Sequence, residues 1–120
     1  MGQIEGGFVQ GAGWLGCEEV NWKTNGQITT HSPSTYKIPA ASDMPEKFNA
    51  EIFKKGKNIE NVINKSKTTG EPPLMNAMSV FFAIKNAIAS IGNYTKNPTL
   101  NAPATPEKIL MSIKNLRKKI

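Results

Sequence analysis

Two consecutive prolines, Pro72 and Pro73, constrain this chain most, because they separate one acid from the longest apolar run. The stretch reads Ser66-Lys67-Thr68-Thr69-Gly70-Glu71-Pro72-Pro73-Leu74. Neither proline can donate a backbone hydrogen bond, so the stretch does not suit a sheet interior. Pro72 biases Glu71 toward extended backbone, and Pro73 does the same to Pro72. Gly70 tolerates φ > 0 or the close approach of another chain or a ligand. From Leu74 the pattern is helical. Glu71 is therefore expected just outside a helix N-terminus, where the dipole favours an ionised carboxylate. A fixed acid of this kind can serve as a general base. The plainer reading is a helix-start turn whose acid only complements the dipole.

Before that stretch, Gly2 to Gly16 is glycine-rich, yet Ile4, Phe8, Ala12 and Leu15 recur at helical spacing. Each glycine inside a helix costs roughly 1 kcal/mol against alanine, so this helix must be packed closely by neighbours or a ligand. Gly11 to Gly16 spells G-x-G-x-x-G, but a dinucleotide fingerprint needs a strand before it and a helix after it. Gly16 is more simply a helix stop. Asn25-Gly26, between Glu18–Trp22 and Gln27–Thr30, predicts a β-hairpin. Residues 32–39 read as extended and irregular. Phe48, Ala50 and Ile52 alternate with Lys47, Asn49 and Glu51, as in a half-buried strand. Ile59, Val62 and Ile63 fit a short helix or strand.

Leu74 to Ile91 is expected to be a long buried helix with Ala77, Phe81, Ile84, Ile88 and Ile91 on one face, stopped by Gly92. Thr105-Pro106-Glu107 supplies an N-cap, a proline at the first helical position and an acid in the first turn. Ile109, Ile113, Leu116 and Ile120 form the stripe of that last, amphipathic helix. The fold class expected is α+β: a glycine-rich helix, a hairpin with one or two further strands, and two later helices. Such a core is thin, and the chain reads as a piece of a larger body.

The net charge of +6 raises the possibility of a nucleic-acid partner. The lysines are scattered, however, and only one of the fifteen basic residues is arginine, the better residue for phosphate and guanine contacts. Aromatic side chains are not interleaved with a basic stripe. A small basic binding protein is thus the weakest class, and no nucleic-acid partner is expected. One cysteine, Cys17, and one histidine, His31, argue against a disulfide framework, a cysteine-based zinc site or a Ser-His-Asp triad. No signal-peptide pattern is visible. Residues 74–91 approach membrane-spanning length but carry Asn76, Lys85 and Asn86. No membrane partner is expected, and a cytoplasmic setting fits.

Four motifs in order carry a resemblance: Gly2-Gln3-Ile4-Glu5-Gly6-Gly7-Phe8-Val9-Gln10-Gly11, Glu18-Glu19, Pro33-Ser34-Thr35-Tyr36-Lys37-Ile38-Pro39, and Gly70-Glu71-Pro72-Pro73-Leu74. Ala102 to Glu107 adds a fifth point. Together they resemble the C-terminal end of the molybdopterin-binding large subunit in the molybdenum hydroxylase family of xanthine dehydrogenases and aldehyde oxidases. The likeness covers essentially residues 1–120. It implies one C-terminal portion of a larger molybdenum-pterin domain, acting in purine hydroxylation. By that resemblance Glu71 is the base, Gln3 approaches the cofactor, and Gly70 gives close access to it.

The resemblance also implies that iron–sulfur clusters and FAD lie on absent domains or subunits, so the cofactor site here is incomplete. Expected partners are the remainder of the molybdopterin-binding subunit, an iron–sulfur/FAD subunit and a purine substrate. The isolated chain is expected to be inactive. A docking or structural piece that does no chemistry is the alternative. Thr68-Thr69, Gly16-Cys17 and Asn76 differ from the residues usual at those places.

Overall fold

The computed structural model describes residues 1–118, which form four α-helices joined by long irregular segments. Helix α1 spans Gly2–Gly16, α2 Glu71–Asn76, α3 Met78–Ile91 and α4 Pro106–Arg117. Ile120 and Lys119, the ends of the expected apolar stripe and basic tail, lie outside the described residues.

The helices start and stop largely where the sequence directs. Thr105 caps α4, its hydroxyl accepting from the Lys108 amide at 3.4 Å, with Pro106 in the first turn. Thr105→Ala is expected to cost about 1 kcal/mol, measurable as a lower denaturation midpoint with an unchanged slope. Gly92 follows α3. The expected single helix from Leu74 instead begins at Glu71 and is interrupted at Ala77. Pro72 and Pro73 fit inside its first turn because the N–H groups they lack would have had no intrahelical partner there. That advantage overrides the extended bias on Glu71.

The α+β expectation is corrected: the described residues contain no strand. The predicted hairpin reduces to an isolated antiparallel bridge between Trp22 and Ile28, with Gly26 at φ 82° in the turn. Lys23 donates to the Gln27 carbonyl at 2.9 Å and Thr29 to that of Asn21 at 2.8 Å. Turn chemistry is present, but nothing covers a face of the two arms: Trp22 is 61% exposed. A two-stranded hairpin is marginal without such cover. The half-buried strand predicted over residues 47–53 has no partner and remains irregular.

The main core lies between α3 and α4. Ile88, Leu100, Ala104 and Leu116 are buried there, with Phe81, Ile84, Ile109 and Ile113 packed against them. The expectation of a buried α3 holds for that face only. Met75, Met78 and Phe82 lie on an exposed apolar stripe, because among the described residues α1 and α4 pack against the other faces of α3. Across α2 and α3, Glu71–Ile91 is long and apolar enough to cross a membrane by length and composition. A helix that is apolar on all sides is ordinarily covered on all sides.

Two whole-molecule quantities agree with this thin core. The radius of gyration is 18.2 Å, against about 14 Å for a compact domain of this length. The accessible surface is 9403 Å², against roughly 6,400 Å² for a self-contained protein of this mass. About 3,000 Å² more is therefore exposed than a self-contained fold of this size would leave open.

Candidate functional site

Helix α1 tolerates Gly7 and Gly11 because the α2 stretch from Gly70 to Ala77 presses against them. A Cβ on Gly7 would stand 2.8 Å from the Gly70 carbonyl oxygen and 3.3 Å from Pro73 Cβ. A Cβ on Gly11 would collide with the Leu74 carbonyl oxygen and come within 2.7 Å of Ala77 Cβ. Backbone meets backbone here, which only glycine permits. The pairing Gly7 with Gly70 and Gly11 with Leu74 also fixes direction: α1 and α2 run parallel.

The same register locates the residues nominated from the sequence. Gln3 lies one helical turn before Gly7 on the glycine stripe, and Glu71 is the first residue of α2. Both are exposed, and since the helices run parallel both lie toward the N-terminal end of the pair, though neither lines the neighbouring cleft. No hydrogen bond joins them among the described residues. Gly70 is helical at φ −85° and ψ −49°, with open space where a Cβ would be. Its carbonyl, rather than its missing side chain, makes the close approach. Beside this end lies a cleft of about 470 Å³ whose lining includes Ile4, Phe8, Phe48, Thr69, Pro72 and Asn76. The Phe8 and Phe48 rings, both in its lining, pack with centroids 5.3 Å apart.

The opposite end of α1 is closed. The Tyr36 hydroxyl donates to Glu18 at 2.5 Å. Gly13 accommodates the same Glu18 carboxylate and Pro39, which would overlap a Cβ there. Lys108 pairs with Glu19 at 3.2 Å, and the Ala104 amide donates to the Leu15 carbonyl at 2.6 Å. The sequence quoted Glu18 and Tyr36 as motif residues without pairing them. Cys17 sits in this knot, and burial followed by the Glu18 and Asp43 charges pushes its thiol pKa up. A thiol so placed is a poor nucleophile.

The hydrogen bond to Glu18, then burial, raises the Tyr36 pKa above its ordinary value of 10.0. Folding therefore favours protonated Tyr36. The resulting stability is complete below the ordinary tyrosine pKa and disappears as pH rises through the raised one. Glu18→Gln is expected to move the tyrosinate absorbance midpoint back down; an unchanged midpoint would mean the two side chains are not joined in solution.

Residues 1–45, which include Gln3, match a family model described as a molybdopterin cofactor-binding domain. Xanthine dehydrogenase/oxidase of Felis catus is 47% identical over 115 residues, covering 91% of this chain and 9% of the relative. Xanthine dehydrogenase 1 of Arabidopsis thaliana is 44% identical over 123 aligned positions, covering 93% of this chain and 9% of the relative. The rat xanthine dehydrogenase/oxidase is 46% identical, covering 91% and 8%. Over about nine-tenths of its length the chain is similar to xanthine dehydrogenases. It is a molybdopterin-binding segment of the xanthine dehydrogenase type, and it spans about a tenth of the length of the relatives it matches.

Proposed function

We propose that this segment serves purine hydroxylation at a molybdenum-pterin centre as the C-terminal portion of a xanthine dehydrogenase-type subunit. Glu71 is the base and Gln3 a cofactor contact, with Gly70 beside them. The single observation that supports this reading is the glycine register of α1 on α2, from which Gln3 and Glu71 both lie toward the N-terminal end of a parallel helix pair. Among the described residues no three His, Cys, Asp or Glu side chains gather to hold a metal ion. Gln3 offers an exposed amide and Glu71 an exposed carboxylate, which suit a group needing from the protein a hydrogen-bonding amide and a proton acceptor. When bound, the molybdenum-pterin group supplies the redox and oxygen-transfer chemistry. The Glu71 carboxylate accepts a proton, and the Gln3 amide hydrogen-bonds and orients.

Because both residues are exposed, the remainder of the subunit must exclude water and hold the purine, so the chain is inactive alone. Iron–sulfur clusters and FAD then lie on other domains or subunits, in a cytoplasmic enzyme. Metal and pterin analysis of the complex purified through this chain tests the reading. Molybdenum stoichiometric with the chain, in an assembly much larger than 13.1 kDa, is expected. A bare chain without molybdenum would overturn it. A second reading, a docking piece that does no chemistry, draws support from the exposed area, and Glu71→Gln separates the two.

A further inference from the structure

Residues 47–53 have the sequence of a strand without its partner. Burial follows the period-two pattern: Phe48 and Ala50 are half-buried, while Lys47, Asn49 and Glu51 are exposed. One face is already docked, through the ring contact of Phe48 with Phe8 on α1. Beyond it, Ile52 and Phe53 are 61% and 76% exposed. Residues 47–52 make no backbone hydrogen bond with any other described residue. The segment therefore combines a seated face, strand alternation and a row of unused N–H and C=O groups, which is the template for adding a strand.

We propose that residues 47–53 pair edge-on with a strand supplied by the part of the molybdopterin-binding subunit outside these 120 residues. This rests on the reading above that the chain is embedded in such a subunit. Two observations select that occupant over a second copy of the chain. The relatives are roughly ten times as long as the matched segment, since it covers 9% of them. The excess exposed area of about 3,000 Å² is well above the ~800 Å² per partner that a standard interface uses. A large body covering several faces accounts for that area; one dimer contact does not.

Hydrogen exchange on the assembly purified through this chain, with molybdenum measured on the same sample, tests the pairing. Amides within residues 47–53 are expected to exchange at least ~100-fold slower than unprotected amides. Rapid exchange there in a large, molybdenum-containing assembly would overturn the strand while leaving the functional reading intact. Slow exchange in an assembly without molybdenum would support the strand and defeat the functional reading. A bare chain would defeat both. Asn49→Pro provides a second test: the Asn49 N–H has no backbone partner among the described residues, so the isolated chain should keep its helicity. Recovery in the assembly is expected to fall at least about tenfold relative to Asn49→Ala, since proline removes a ladder donor. Equal recovery of the two variants would count against pairing at this edge.

Discussion

Glu71→Gln, introduced into the assembled molybdenum-containing protein, is expected to lower turnover by about 100- to 10,000-fold, the range that positioned proton transfer supplies. Molybdenum and pterin content should remain at the wild-type level. The amide keeps the shape of the side chain but cannot take up a proton. Glu71 is exposed at the first position of α2, so the change disturbs no packed contact within the chain. Steady-state kinetics beside metal analysis separates three outcomes. Lost turnover with retained metal assigns the proton transfer to Glu71. Lost metal makes the residue a structural anchor of the site, and full activity returns the chain to a docking role.

Gly11→Ala should have the largest effect on stability. A methyl group there meets the Leu74 carbonyl and Ala77, both fixed in helical backbone. Overpacking costs about 1–3 kcal/mol; against a fixed backbone carbonyl the upper part of that range applies, above the ~1 kcal/mol that alanine gains over glycine in a helix. Gly6→Ala, on the same helix with nothing within 4 Å of the new methyl, receives the propensity gain alone. Equilibrium denaturation of the chain, followed by helical circular dichroism, should therefore move in opposite directions for the two. A neutral or stabilising Gly11→Ala would show that α1 and α2 do not touch as described.

The sequence was most informative where signals were local. The rhythm of Ile4, Phe8, Ala12 and Leu15 identified α1, and Thr105-Pro106-Glu107 marked the start of α4. Asn25-Gly26 marked a turn correctly but could not say whether its arms would find a covered face, and Trp22 and Ile28 form only an isolated bridge. Pro72 and Pro73 were misread as extended because their effect on the preceding residue was weighed above their tolerance in a first helical turn. Gln3 and Glu71 were nominated by resemblance. Their shared end was not legible, since it depends on Gly7 meeting Gly70 and Gly11 meeting Leu74 across the fold. The Tyr36–Glu18 bond was hidden for the same reason: side chains eighteen residues apart meet only once the intervening segment has turned back.

The asymmetric hold on α1 makes the helix a lever. Its far end is pinned by Glu18, Glu19 and Leu15, while Gln3 sits near the free tip. From Gly13 to Gln3 the arm is about 15 Å, so a tilt of about 4° displaces Gln3 by about 1 Å. A misplacement of that size can cost an enzyme ~100-fold in rate. Gly7 and Gly11 then act as angular stops, because each lets α1 rest directly on the backbone of the stretch that carries Glu71. Any change that shims α1 away from that stretch would be magnified at the tip, with no residue of the site itself altered.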